Sequence, residues 1–98
     1  MFEVELQIPD RVESDAVTRI VEQVCASHGL TAILKGTLRS YPGSIHWHFK
    51  LGKQKGTLEI TWWERGQRLW FKVADGRTGA WIDDKLPPLK EQIEKSLF

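Results

Sequence analysis

Three stretches in the middle of the chain, IHWHFKL over 45–51, LEITWW over 58–63 and RLWFKV over 68–73, alternate apolar and polar residues with a period of two. A strand turns successive side chains to opposite faces, so this pattern suits a sheet buried on one side and does not suit a helix. The links between the stretches are short and rich in turn residues: Gly52 to Gly56, then Arg65-Gly66. Links of that length require neighbouring strands to run antiparallel. Ile45, Trp47, Phe49, Leu51, Leu58, Ile60, Trp62, Leu69, Phe71 and Val73 then face a core. His46, His48, Lys50, Glu59, Thr61, Trp63, Trp70 and Lys72 face away from it.

The flanks supply the rest of a domain. Phe2, Val4, Leu6 and Ile8 alternate with polar residues until Pro9, which predicts a half-buried strand. Val17, Ile20, Val21, Val24 and His28 share one stripe at helical spacing, and Gly29 ends that helix. Its start has two candidate caps, Asp10 with Glu13 as a capping box, or Ser14 with Asp15 one turn later. LTAILKGTLRS, from Leu30, reads as a less regular strand with Gly36 at a bulge, and Tyr41-Pro42-Gly43-Ser44 as a turn. Asp75-Gly76 is a hairpin signal, so 77–82 is expected as a short further strand with Trp81 outward beside Trp70. Leu86, Leu89, Ile93 and Leu97 mark a closing helix, with Pro87 and Pro88 at its start.

The order β-α-β-β-β-(β)-α predicts an α+β fold: a single antiparallel sheet with two helices packed on one face, all within one domain over 1–98. Ninety-eight residues do not supply a second core. The first strand is expected beside the last members of the meander. This element order resembles that of the saddle-shaped domains of the TATA-binding protein class. The resemblance is one of topology and carries no residue or activity across.

The outward face carries the candidate functional residues. The chain has five tryptophans, and all of them lie between residues 31 and 81. Basic residues outnumber acidic ones nine to three over that span, whereas residues 1–30 hold two basic against six acidic and 82–98 hold three against four. Trp63, Trp70, Arg68, His46, His48 and Trp81 are therefore the candidate binding residues, for a protein partner or a second copy of the chain. A two-residue turn at Arg65-Gly66 sets Trp62 opposite Leu69, Thr61 opposite Trp70, and Trp63 opposite Arg68, which could stack on the indole. Pairing Trp47 with Trp62 would put His46 beside Trp63 and His48 beside Thr61. Lys50, Glu59 and Lys72 would then form a charge row.

Single-stranded nucleic acid is the alternative ligand for such a face, since aromatic residues on a basic sheet stack bases. Against it, no RNP1 pattern is present and the sequence pI is 7.9. An enzyme with a small-molecule or metal-dependent site on the sheet is a further alternative. His46-x-His48 has the spacing of two metal ligands, but two histidines make no site without a third donor, so no metal and no cofactor is assigned. No catalytic residue is assigned either. Cys25 reads as a core thiol, Asp83-Asp84 as helix capping, and DGRTG lacks the setting of a phosphate loop. One cysteine allows no internal disulfide, and MFEVELQIPD has acidic residues where a signal peptide has basic ones. The expected setting is cytoplasmic, with no membrane partner.

Overall fold

The computed structural model describes residues 1–98, and the alternating stretches form one five-stranded antiparallel sheet. The elements run β1 (Phe2–Glu5), α1 (Ser14–Ser27), β2 (Leu30–Gly36), β3 (Ile45–Leu51), β4 (Leu58–Trp63), β5 (Arg68–Val73) and α2 (Ala80–Leu97). Across the sheet the strands lie in the order β1-β5-β4-β3-β2. The fold is the expected α+β one, with the four-strand meander in sequence order and β1 added beside its last member. No helix is long and apolar enough to cross a membrane.

Both helices bury their stripes against the same side of the sheet. Val17, Ile20, Val21 and Cys25 of α1 and Trp81, Ile82, Leu89 and Ile93 of α2 join Trp47, Phe49, Leu58, Ile60, Trp62, Leu69, Phe71 and Val73 in a single core. Each large apolar side chain so enclosed contributes roughly 1.5–3 kcal/mol relative to exposure. Of the three inward indoles, those of Trp47 and Trp62 bond their N–H groups at the core margin, whereas the buried Nε1 of Trp81 has no hydrogen-bond partner. Trp47 Nε1 donates to Glu22 at 3.0 Å, and Trp62 Nε1 donates to Ser14 Oγ at 2.8 Å.

Helix α1 begins at Ser14, the later of the two expected starts, but Glu13 makes no side-chain cap. The cap comes from elsewhere in the chain. Glu64, in the β4–β5 turn, accepts from both the backbone N–H and the hydroxyl of Ser14, at 3.3 and 2.8 Å. A carboxylate at this end suits the partial positive charge of the helix N-terminus. Gln67 in the same turn takes a positive φ of 49° and bonds both backbone groups of Val12. The hairpin tip is thereby docked on the entry to the helix.

Residues 77–82 correct the expectation of a further strand. Gly76 does turn the chain with φ at 79°, but the edge of β5 is already taken by β1, which pairs Phe2 with Val73 and Glu5 with Trp70. With no edge to join, the chain turns away and enters α2 at Ala80, six residues before the first apolar position expected for that helix. Trp81 therefore points into the core, only 5% exposed, on the side of the sheet opposite the expected one. Pro87 and Pro88 lie inside α2 rather than at its start. Their missing N–H groups leave the carbonyls of Asp83 and Asp84, on the exposed side of the helix, without helical donors.

Candidate functional site

The face of the sheet away from the helices carries the polar members of each alternating strand. Backbone pairing sets them in rows. One row runs Gly36, His46, Thr61, Trp70, Glu5, and the next runs Leu34, His48, Glu59, Lys72, Glu3. The expected β4–β5 register is found: Trp62 lies opposite Leu69, Thr61 opposite Trp70, and Trp63 opposite Arg68. The β3–β4 register is not the expected one. Trp47 pairs with Ile60 rather than Trp62, which moves every outward neighbour by two residues. His46 lies beside Thr61, and His48, not Lys50, lies opposite Glu59.

The cause is at the far end of the 52–57 link. Thr57 N–H donates to Arg77 O at 2.9 Å, and Gly56, with φ at 116°, packs on Gly79. These contacts draw 56–57 toward the α2 entry, so regular pairing with β3 begins only at Leu58 opposite Phe49.

The new register brings three donor groups together. His46 Nε2 and His48 Nε2 are 3.1 Å apart, and Glu59 Oε1 lies 3.4 Å from the first and 3.8 Å from the second. Behind them, His46 Nδ1 is 2.7 Å from the hydroxyl of Thr61, which is buried. His46 and Glu59 are themselves buried, and His48 is half-buried. Burial pushes the His46 imidazolium pKa down; Glu59 opposes this, while His48 and Lys72 add to it. His46 and His48 had been legible as an outward pair in the sequence. The partnership with Glu59 and the support from Thr61 were not, because both follow from the register.

The aromatic end of the face is covered. Residues 38–44 curl back through bonds from Tyr41 N–H to Leu38 O, Ser44 N–H to Tyr41 O, and Leu38 N–H to Ser44 Oγ. This places the Tyr41 ring edge-on to both Trp63 and Trp70, with centroids 5.1 and 5.0 Å away. Trp63 Nε1 donates to Pro42 O at 3.1 Å, and Trp70 is left 4% exposed. Arg68 stacks at 4.4 Å over Trp70, not over Trp63 as expected, and its guanidinium is bonded to Glu5. Of the six candidate binding residues, Trp63, Trp70, Arg68, His46 and His48 share this face, and Trp81 does not. The two outward tryptophans are partly sealed by the chain's own turn.

The exposed large apolar side chains lie elsewhere. Met1, Phe2 and Phe98 are terminal, and the other two, Ile33 and Leu34, sit together on β2. From Thr31 to Gly36 every residue of β2 is exposed. The chain matches no family model, no curated protein and no solved structure.

Proposed function

We propose that this domain is a self-association module that pairs through β2, extending the five-stranded sheet into a continuous ten-stranded one across two copies. The observation that carries this reading is the contrast between the two sheet edges. The β1 edge is four residues long and carries Glu3 and Glu5, with Glu5 engaged by Arg68. Short, charged edges resist pairing with another chain. The β2 edge is seven residues long, with its bulge at Ile33 rather than at Gly36 as expected, and offers Ile33 at 57% and Leu34 at 45% exposure. Its only charge, Lys35, is held by Glu22 of α1 at 2.8 Å, so it does not guard the edge. Unpaired N–H and C=O groups beside exposed aliphatic side chains form a template for a further strand.

An antiparallel pair centred on Ile33 sets Leu34 against Ala32 of the second copy and Lys35 against its Thr31. No like charges meet. Such a twofold contact is self-complementary, as closed dimers require. Sedimentation of the parent and of the Ile33→Lys/Leu34→Lys variant tests the reading. The expected result is a dimer that becomes a folded monomer in the variant. A parent that stays monomeric up to millimolar concentration, or a variant that stays dimeric, would overturn it.

A further inference from the structure

We infer that His46, His48 and Glu59 form a binding site for a divalent transition-metal ion of the zinc class. This rests on the outer face alone and is independent of pairing at β2. The three donor atoms make a triangle with edges of 3.1, 3.4 and 3.8 Å. Zinc bonds of about 2.0–2.1 Å at tetrahedral angles set neighbouring donors roughly 3.3–3.5 Å apart. An ion at that distance from all three atoms sits just above their plane and leaves a fourth position open.

The chemistry of the donors sets the class. Two imidazole nitrogens with one carboxylate suit zinc, cobalt, nickel or copper. Calcium and magnesium prefer all-oxygen shells, which this cluster does not offer. The supporting structure is that of a built site rather than a chance meeting of side chains. His46 and His48 project from one face of β3, and Glu59 projects beside them from the paired position on β4. Thr61 holds His46 Nδ1 at 2.7 Å, which orients the ring so that Nε2 faces the other donors. In the metal-binding tautomer Nδ1–H donates to the threonine hydroxyl oxygen.

The surrounding charges shape the open position. Lys72 stands opposite Glu59 on β5, with Glu3 beyond it on β1. A divalent ion with one carboxylate keeps a net positive charge, and the nearby ammonium adds to it. Water or a small anion therefore suits the fourth position better than a cationic or bulky apolar group.

Titration of the metal-free chain with zinc by calorimetry, and with cobalt by visible absorption, tests the site. The expected result is one ion per chain, with the intense d–d bands of a tetrahedral cobalt centre. His48→Ala removes a half-buried ligand and should weaken binding at least 100-fold in a chain that remains folded by circular dichroism. Thr61→Val should weaken it about 10–100-fold through loss of the ring support. His28→Ala is the control, since His28 lies between the helices, bonded to Gln92. No binding at millimolar zinc, or equal binding by the parent and the His46→Ala/His48→Ala variant, would overturn the assignment.

Discussion

Replacing Ser14 by alanine isolates one polar contact that closes the core. Trp62 is fully buried, and its Nε1–H donates to Ser14 Oγ at 2.8 Å. The same hydroxyl donates onward to Glu64 Oε1, also at 2.8 Å. Alanine removes the only hydrogen-bond acceptor of the indole. A buried donor left unpaired costs about 1–3 kcal/mol. Loss of the Ser14–Glu64 hydroxyl bond adds little, because that end is half-exposed and water can take it. The better helix propensity of alanine offsets about half a kcal/mol at most. A net loss of roughly 2 kcal/mol is a large part of the stability of a small domain, and lowers its Tm by about 8–16 °C. Thermal and urea unfolding of Ser14→Ala measure this, with Ser27→Ala as control. Ser27 bonds Val24 O from an exposed position, so its loss should stay within about 0.5 kcal/mol. Faster hydrogen exchange at the Trp62 indole should accompany the Ser14→Ala loss. A Ser14→Ala chain as stable as the Ser27→Ala control would refute the claim that this bond holds the buried indole.

Two further outcomes are expected. Tyr41→Ala removes two edge-on aromatic contacts worth about 0.5–1.5 kcal/mol each and uncovers Trp63 and Trp70, so tryptophan emission should shift to the red with a stability loss of about 1–3 kcal/mol; unchanged emission would show that the turn does not seal the face. Burial, with a smaller contribution from Glu22, pushes the Cys25 thiol up to about 12, so the native chain should not react with a thiolate reagent at pH 8 until it unfolds. The folded thiol holds its proton where the unfolded one loses it, so its contribution to stability is complete below about pH 9 and falls as pH rises from there toward 12. Rapid stoichiometric modification at pH 8 would contradict this.

The features legible in the sequence are those set by local rules. Period-two alternation assigns each strand residue to a face whatever its register, so the core members Trp47, Ile60, Trp62 and Phe71 could be named from the sequence. The β4–β5 register was legible as well, because a four-residue link between Trp63 and Arg68 leaves little freedom. Failures occurred where a distant segment intervened. Trp81 was placed outward by a hairpin signal at Asp75-Gly76. That signal has no effect once β1, some seventy residues earlier, occupies the edge the hairpin needs. The sequence near α1 offers Asp10, Glu13 and Ser14 as caps, but the helix is capped by Glu64, fifty residues from Ser14. Tyr41 read as a turn residue, and nothing nearby in sequence indicated that its ring would cover Trp63 and Trp70.

The chemistry of the outer face turns on a difference of two residues in one register. With Trp47 opposite Trp62, the face would carry Lys50, Glu59 and Lys72 in a line, an ordinary solvated charge row. With Trp47 opposite Ile60, the same carboxylate meets two imidazoles within 3.8 Å. Both registers bury the same apolar residues, so hydrophobic burial does not choose between them. The choice is made on the other side of the link, where Gly56 and Gly79 touch. A Cβ on Gly79 would stand 1.9 Å from Lys55 O, and one on Gly56 would stand 3.0 Å from Gly79 Cα. Only a chain without side chains at both positions can make that approach and keep the Thr57 to Arg77 bond. Gly56, which reads in the sequence as a plain turn residue, and Gly79, which reads as part of a short strand, thus fix where β4 begins, and thereby which groups surround Glu59.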